Sequence, residues 1–146
     1  VTRYHNMPTL TTVAEARAAL ERLQQRYAGR AAIRWAIALV ERREMIGTVG
    51  LLRFDFEHRR AEIGYELARR WWGHGLAAEA AGAVVRYGFS VLGLHRIEAG
   101  VLPDNRASVR VVEKLGFVDE GPRRDYLYAK GSFHTLRWLS LLETDG

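Results

Sequence analysis

The sequence predicts one α+β domain with a mixed sheet. Two strand-like runs lie next to each other in the first half of the chain, and in the second half two helical patterns alternate with a strand-like run. No repeat, low-complexity tract or change of composition marks a boundary between domains. A chain of 146 residues is also long enough to bury a core without disulfides or metals.

The first half predicts a helix followed by an antiparallel meander. Residues 12–28 begin with a Thr-x-x-Glu capping box, and apolar side chains then recur at spacings of three and four. Strand-like runs at 33–41 and 46–55 are separated by a short polar stretch, which predicts a hairpin. Residues 61–67 alternate between apolar and polar side chains, so we expect a third strand there.

The second half predicts two helices and three strands. A helix is expected over 75–92 and is ended by a glycine. The strand at 96–102 should lie parallel to 61–67 across a right-handed crossover. Asn105 opens the next helix, which ends at Gly116. Strands are expected to begin at residue 117 and to cover 134–142.

Composition excludes several classes of protein. The chain has no cysteine, which excludes disulfides, zinc thiolate sites and a cysteine nucleophile. It has no apolar run long enough to span a membrane and no signal-like stretch near its start, so we expect a cytoplasmic protein without a membrane partner. The net charge of +5 favours an anionic partner, which could be nucleic acid, an anionic surface or a polyphosphate cofactor.

The most informative segment is the turn between the strand at 61–67 and the helix that follows it. Its sequence is Arg70-Trp-Trp-Gly73-His-Gly75. The first turn of a helix leaves about four N–H groups without intrahelical partners, and glycine lets an anion approach the backbone closely. The segment is therefore suited to hold a phosphate. Two glycines can also serve only to make a tight turn between a strand and a helix.

This turn resembles the acetyl-CoA-binding motif of the GNAT superfamily, (Gln/Arg)-x-x-Gly-x-(Gly/Ala). A second segment, Asn105-x-x-Ser108 followed by Glu-Lys-Leu-Gly116-Phe117, is similar to the superfamily's last helix. The Glu-x-Gly-Tyr strand and the Leu-Gly-Phe-x-x-Glu-Gly element are most similar to the branch that contains the ribosomal-protein N-terminal (alanine) acetyltransferases. The resemblance extends over residues 12–142.

The resemblance implies an acetyl-CoA-dependent N-acetyltransferase that acts on a primary amine, either of a small molecule or of a protein N-terminus. It implies a GNAT-like, mostly antiparallel sheet in which the parallel strands 61–68 and 96–102 splay apart and hold the pantetheine arm of acetyl-CoA in the gap. The residues that would contact this cosubstrate are Leu67, Ala68, Arg69, Arg70, Gly73, His74, Gly75, Leu76, Ala77 and Asn105. Asn105 could also serve only as a helix cap.

The catalytic candidates are Glu62 and Ser108. A base is useful because most of an amine is protonated at neutral pH, and the resemblance favours Glu62 over its neighbour Glu66. Both carboxylates could instead only pair with arginines at the surface. In many members of the superfamily a tyrosine protonates the departing thiolate, but this chain has Val112 at that position. The resemblance to the ribosomal-protein branch therefore makes Ser108 the candidate for this role.

If Ser108 does not protonate the thiolate, water or a tyrosine at position 126 or 128 could do so. A backbone N–H near Leu67 is expected to hold the oxyanion.

Other interpretations stay open at this stage. Gly73-x-Gly75-x-x-Ala78, with Glu98 about 20 residues further on, also fits the turn of a dinucleotide-binding oxidoreductase, although the preceding meander argues against it. The charge and the tryptophans of the turn would suit a nucleic-acid-binding module, but no such motif is present, and we expect that nucleic acid is not required.

The histidines show no ligand spacing, so we expect no metal. We expect a single domain over 1–146 that lacks the family's first strand and helix, as a monomer or a homodimer.

Overall fold

A computed structural model describes residues 9–10, 32–39, 41 and 44–145. Seven strands form one sheet in the order β1-β2-β3-β4-β5-β7-β6. They are β1 (Thr9–Leu10), β2 (Ala32–Leu39), β3 (Glu44–Asp55), β4 (Arg60–Leu67), β5 (Arg96–Val101), β6 (Val118–Ala129) and β7 (Ser132–Leu142). Within these described residues two α-helices accompany the sheet, α1 (Leu76–Ser90) and α2 (Arg106–Lys114).

The sheet is mixed and mostly antiparallel. Parallel pairing occurs between β1 and β2 and between β4 and β5, while the other four pairs of neighbours are antiparallel. The crossover from β4 to β5 runs through α1, as a parallel connection requires. A dinucleotide-binding fold would need a doubly wound parallel sheet, so the oxidoreductase interpretation is wrong at the level of topology.

Alternation along the central strands decides which face receives the helices. Odd-numbered apolar residues of β2, β3 and β4 are buried together with one side of α1 and with Val109 and Val112 of α2. α1 packs closely because it presents small residues, and Ala81 is fully buried. Burying an aliphatic side chain of this kind contributes about 1.5–3 kcal/mol, so this shared core fixes α1 against the sheet.

Most of the predicted elements are confirmed. Each expected strand in the described residues is present, and the parallel pairing of 61–67 with 96–102 is found at the three pairs that begin at Arg60 and Arg96. The helix expected over 75–92 is shorter by one residue at its start and by two at its end. The helix expected over 12–28 lies outside the described residues. Neither helix of the described part is long and apolar enough to cross a membrane.

A network of charged side chains lies on the sheet face opposite α1, away from the glycine turn. Arg96 donates to Glu98 at 3.0 Å and to both carboxylate oxygens of Glu120, at 2.9 and 2.5 Å. Ser140 donates to Glu120 at 2.8 Å. The hydrogen bond from Arg96 is the main reason that the pKa of Glu120 falls to about 2. This network ties β5, β6 and β7 together.

Candidate active site

The two parallel strands of the sheet separate after three residue pairs. Arg60, Ala61 and Glu62 of β4 pair with β5, and no pair between these strands follows, although β4 continues to Leu67. β3 stays paired with β4 as far as Leu67. The second half of β4 therefore has one edge bonded to β3 and one edge facing a gap, as the resemblance implied.

The glycine turn leads from this gap into α1. Gly73 and Gly75 have φ values of 82° and 75°, a region that side chains with a Cβ rarely adopt. Gly75 is the N-cap of α1 and supplies no side-chain cap. The N–H groups of Leu76, Ala77 and Ala78 therefore lack both an intrahelical partner and a capping side chain. The positive end of the helix dipole lies at the same place.

A cavity of about 740 Å³ extends from the gap to this helix end. One wall is formed by the end of β4 and the glycine turn, and the other by α2. The lining residues are Gly47, Thr48, Tyr65, Glu66, Leu67, Ala68, Trp71, Trp72, Gly73, Gly75, Leu76, Ala77, Ala78, Asn105, Ala107, Ser108, Arg110, Val111 and Lys114. Arg110 and Lys114 give the α2 wall a positive charge, which the helix end of α1 reinforces.

Leu67 has backbone groups in two different situations. Its carbonyl accepts a hydrogen bond of 2.7 Å from Trp72 Nε1, so the indole ring occupies one of the groups that were expected to face pantetheine. The next residue, Ala68, donates its N–H to Ile46 on β3 at 2.8 Å. Successive N–H groups of an extended chain point to opposite edges, so the Leu67 N–H points toward the gap.

Asn105 both caps α2 and lines the cavity. Its side-chain oxygen accepts a hydrogen bond of 3.1 Å from the N–H of Ser108, and this cap fixes the first turn of α2. The Ser108 Oγ lies 2.9 Å from the Tyr65 hydroxyl, which also lies 2.9 Å from the Ser108 carbonyl oxygen. Burial raises the pKa of Tyr65, and the hydrogen bond to Ser108 partly offsets that effect.

Glu62 lies on the face of β4 opposite Tyr65. Its residue is 9% exposed, and Arg53 Nη1 donates to its Oε1 at 3.0 Å. Arg53 reaches this face because β3 has an irregularity between Leu52 and Asp55 and Arg53 adopts a φ of 51°. Glu66, four residues further along β4 on the same face, is exposed and lines the cavity, whereas Glu62 does not line it.

The structure brings together most of the cofactor-binding candidates and separates three of them. Arg69, Arg70 and His74 do not line the cavity. The first two belong to a short 3-10 turn, where Arg69 lies over the Trp72 ring and Arg70 pairs with Glu44. Arg70, the arginine of the motif, therefore holds the turn against β3 through its side chain. The glycines of the turn, and not this arginine, line the cavity.

Sequence reasoning missed several residues of the site, and four of them carry charged or hydroxyl groups that bear on its chemistry. Arg110 and Lys114 line the cavity, and Lys114 Nζ lies 3.6 Å from the point where a Cβ on Gly75 would stand. Tyr65 contacts the catalytic candidate Ser108, and Arg53 donates to the catalytic candidate Glu62. The Glu-x-Gly-Tyr and Glu-Lys-Leu-Gly-Phe motifs contain Tyr65 and Lys114, so these two residues had a signal in the sequence. Arg53 had none, because its position depends on a local irregularity in β3.

Other candidate groups lie elsewhere. Val112 is fully buried, so α2 offers no acid at that position. Tyr126 and Tyr128 lie on β6 and do not line the cavity. Among the residues that the structure describes, no three His, Asp or Glu side chains are grouped as a metal site would require.

Comparisons with known proteins agree with this arrangement. Residues 1–118 match the family described as an acetyltransferase (GNAT) domain. The N-acetyltransferase YoaA of Bacillus subtilis is 42% identical over 132 residues, which are 90% of this chain and 75% of that protein.

Two solved structures share the fold. The ribosomal-protein-S5-alanine acetyltransferase from Vibrio fischeri is 26% identical with a TM-score of 0.76, over 98% of this chain and 82% of that one. The spermidine N-acetyltransferase from Vibrio cholerae, in complex with CoA and spermine, is 26% identical with a TM-score of 0.72, over 88% of this chain and 76% of that one. Splayed strands, glycine turn and family match agree, and this chain belongs to the GNAT family of acetyltransferases.

Proposed function

We propose that this protein transfers the acetyl group of acetyl-CoA to a single primary amine, with a protein N-terminus as the favoured acceptor. The observation that carries the proposal is the continuity of the cavity. It runs from the uncapped N-terminus of α1, which suits a pyrophosphate, to the gap beside β4, which suits an extended chain with amide groups. Acetyl-CoA has a pyrophosphate at one end and an extended arm with amide groups at the other, so it fits a cavity of this shape.

The residues present fit the anionic part of CoA. The N–H groups of Leu76, Ala77 and Ala78 would donate to phosphate oxygens at the helix N-terminus. Gly75 leaves the backbone open there, because the nearest atom to a Cβ at this position is the flexible end of Lys114. Lys114 and Arg110 would add positive charge on the opposite wall. A carboxamide oxygen of Asn105 is engaged in the cap, so its amide nitrogen is the group left for the cosubstrate.

The acetyl group would lie beside the second half of β4. The Leu67 N–H, which points into the gap, would donate to the acetyl carbonyl oxygen as negative charge develops on it. At pH 7 an α-amino group is about one-tenth neutral, because its pKa is near 8. Glu62 would take the proton from the attacking amine, directly or through a water, on the face of β4 opposite Tyr65.

Charge favours an acceptor with one amine over a polyamine. The chain carries a net charge of +5, which repels a polycation at long range. On the Glu62 face, Glu62 pairs with Arg53 and Glu98 pairs with Arg96, so these carboxylates are already neutralised. Relatives include an enzyme named for an alanine of a ribosomal protein and one named for spermidine. The charges of this chain therefore favour a protein N-terminus over a polyamine as the acceptor.

Two measurements test the proposal. Acetyl-CoA at about 100 times its dissociation constant should stabilise the fold by roughly 2.7 kcal/mol, which a thermal melt detects. Release of the CoA thiol should then be followed with a panel of amines, in which peptides with a free N-terminal alanine are compared with spermidine and with N-blocked peptides. A melt that responds to NAD and not to acetyl-CoA, or thiol release that ignores the amine, would contradict the proposal.

A further inference from the structure

The Tyr65 hydroxyl contacts two oxygen atoms of Ser108 at the same time. It lies 2.9 Å from the backbone oxygen and 2.9 Å from Oγ, and both residues line the cavity. The two residues belong to different elements, β4 and α2, so this contact joins the walls of the cavity. Position 112 on α2 holds a valine, whose side chain is buried in the core. Tyr65 therefore places a tyrosine hydroxyl in contact with Ser108 at this site.

The two hydroxyl groups can share their protons in two ways. A carbonyl oxygen only accepts, and each hydroxyl has one proton to donate. If Tyr65 donates to the Ser108 carbonyl, Ser108 donates its own proton to Tyr65 and offers only lone pairs to the cavity. Because the two Ser108 oxygens lie at the same distance of 2.9 Å, Tyr65 can also direct its proton to Oγ, and the Ser108 proton is then free to point into the cavity. The Tyr65 O–H direction therefore decides whether Ser108 is a donor there.

We propose that Tyr65 is a positioning residue that turns the Ser108 hydroxyl toward the CoA sulfur as a hydrogen-bond donor. This inference rests on the proposed function, because it concerns the leaving group of that reaction. During transfer the amine nitrogen bonds to the acetyl carbon, the carbon–sulfur bond breaks, and the amine proton passes to Glu62. The electron pair of the broken bond stays on sulfur, and the thiolate leaves with a hydrogen bond from Ser108.

No proton has to move from Ser108 in this scheme. A thiol with a pKa near 8.5 leaves readily as an anion, so a donated hydrogen bond is sufficient help. Full transfer would leave an alkoxide on Ser108 or a phenolate on Tyr65. Burial raises the pKa of Tyr65, so its proton stays in place. The pair therefore differs from a proton relay, and the original expectation that Ser108 protonates the thiolate becomes a narrower role.

The test uses CoA binding and does not depend on turnover. The dissociation constants of CoA and of acetyl-CoA, which has no free thiol, are measured by calorimetry from pH 6 to pH 10. A donor at sulfur favours the thiolate, so CoA should gain affinity over acetyl-CoA as pH rises. The gain should be about tenfold or more, the usual effect of one hydrogen bond to a charged group.

Variants then separate Tyr65 from Ser108. Ser108→Ala should abolish the gain, and Tyr65→Phe should remove most of it, when the dissociation constants of CoA and acetyl-CoA are compared within each variant. The double variant should lose no more than Ser108→Ala, because both substitutions remove the same hydrogen bond. Tyr128→Phe, which removes an exposed hydroxyl on β6, is the matched control and should keep the gain in full. Thermal melts without ligand check that each variant is folded.

Several outcomes overturn the inference. An unchanged gain in Tyr65→Phe, independent losses that multiply in the double variant, or no gain in the parent protein would each contradict it. If the gain behaves as expected but no amine is acetylated, the proposed function fails alone. If amines are acetylated and Tyr65→Phe keeps the gain, the inference fails alone. A chain that binds neither CoA nor acetyl-CoA contradicts both.

Discussion

The two faces of β4 present polar groups that differ in charge, burial and support. On one face Glu62, which is nearly buried, is paired with the guanidinium of Arg53. On the other face Tyr65 meets Ser108 through neutral hydroxyl groups at the first turn of α2. The reaction has the same division, since an amine must lose a proton while a thiolate must be stabilised. With the roles proposed for Glu62 and Ser108, one strand would separate the two halves of acetyl transfer by the alternation of its side chains.

The supports of these two faces also differ. Ser108 is held by regular structure, because Asn105 caps α2 and the helix begins in an ordinary way. Arg53 reaches Glu62 only through an irregularity in β3, and its φ of 51° is unfavourable for a residue with a side chain. Backbone strain of this kind costs about 1–3 kcal/mol and persists where the surroundings compensate for it. The difference indicates that the position of Glu62 is the more costly of the two to maintain.

The largest effect is expected for Glu62→Gln. Loss of a general base should lower turnover by about 10² to 10⁴-fold, with little change in the affinity for acetyl-CoA. The deficit should shrink as pH rises, because more of the amine is then neutral without help. A pH–rate profile of parent and variant with one good acceptor measures this.

Glu66→Gln is the matched control, since Glu66 has the same side chain on the same face of β4. If Glu62→Gln gives a profile parallel to that of the parent and Glu66→Gln gives the deficit, the base is Glu66, which lies four residues further along the strand on the same face.

The second prediction concerns the glycine turn at the start of α1. Gly75→Val places a branched side chain at a positive φ and beside the N–H groups at the start of α1. We expect acetyl-CoA affinity to fall about tenfold or more, as the loss of one hydrogen bond to a charged group would cause. Calorimetric titration of the variant measures the effect.

Gly93→Val separates the loss of binding from backbone strain. Gly93 also has a positive φ, of 71°, with open space around its Cβ position, but it follows α1 at the other end. The two variants should lose similar stability in a thermal melt, and Gly93→Val alone should bind acetyl-CoA as the parent does. Equal binding by both variants would place the phosphates elsewhere.

Much of this arrangement could be predicted from the sequence because it depends on local patterns. The strand 61–67, the glycine turn and the helix cap at Asn105 each follow from residues that are close in the chain, and the family motifs ordered them correctly. The partners of the catalytic candidates could not be predicted in this way. Arg53 and Tyr65 act across strand and helix boundaries, and their positions depend on register and on one irregular residue in β3.

A smaller effect is expected for Arg53→Gln, which removes the cationic support of Glu62. The guanidinium is well exposed, so we expect a stability loss of about 1 kcal/mol, at the upper end for exposed pairs. Turnover should fall several-fold because Glu62 loses the bond that orients it, while acetyl-CoA affinity stays unchanged. Urea unfolding and steady-state rates measure the two effects.

Arg60→Gln is the corresponding control. Arg60 pairs with Asp55 at 3.1 Å near the same end of β4 but does not contact Glu62 in the described structure. It should lose similar stability and keep full turnover. If both variants keep full turnover, the irregularity of β3 at Arg53 serves the fold and has no part in the chemistry.

The smallest effect is expected outside the site, where a second carboxylate is held by arginine. Arg96 lowers the pKa of Glu120 to about 2 from an ordinary value of 4.5. A carboxylate with a lowered pKa in the folded state stabilises the fold above its unfolded pKa, and that contribution is lost as pH falls toward the folded value. The difference in unfolding free energy between the parent and Glu120→Gln should therefore be largest above pH 5 and should diminish between pH 4.5 and pH 2.

Urea unfolding over this range measures the difference, and Glu79→Gln, which removes an exposed carboxylate on α1, is the control and should show no such convergence. Acetyl-CoA affinity at pH 7 should be the same in all three proteins, because Glu120 lies away from the cavity. Changed affinity in Glu120→Gln would mean that the network around Arg96 reaches the gap beside β4 through Glu98, whose Cα is paired with that of Glu62. The charged face would then act as one unit, in contrast to the separate hydroxyl pair on the other side of the strand.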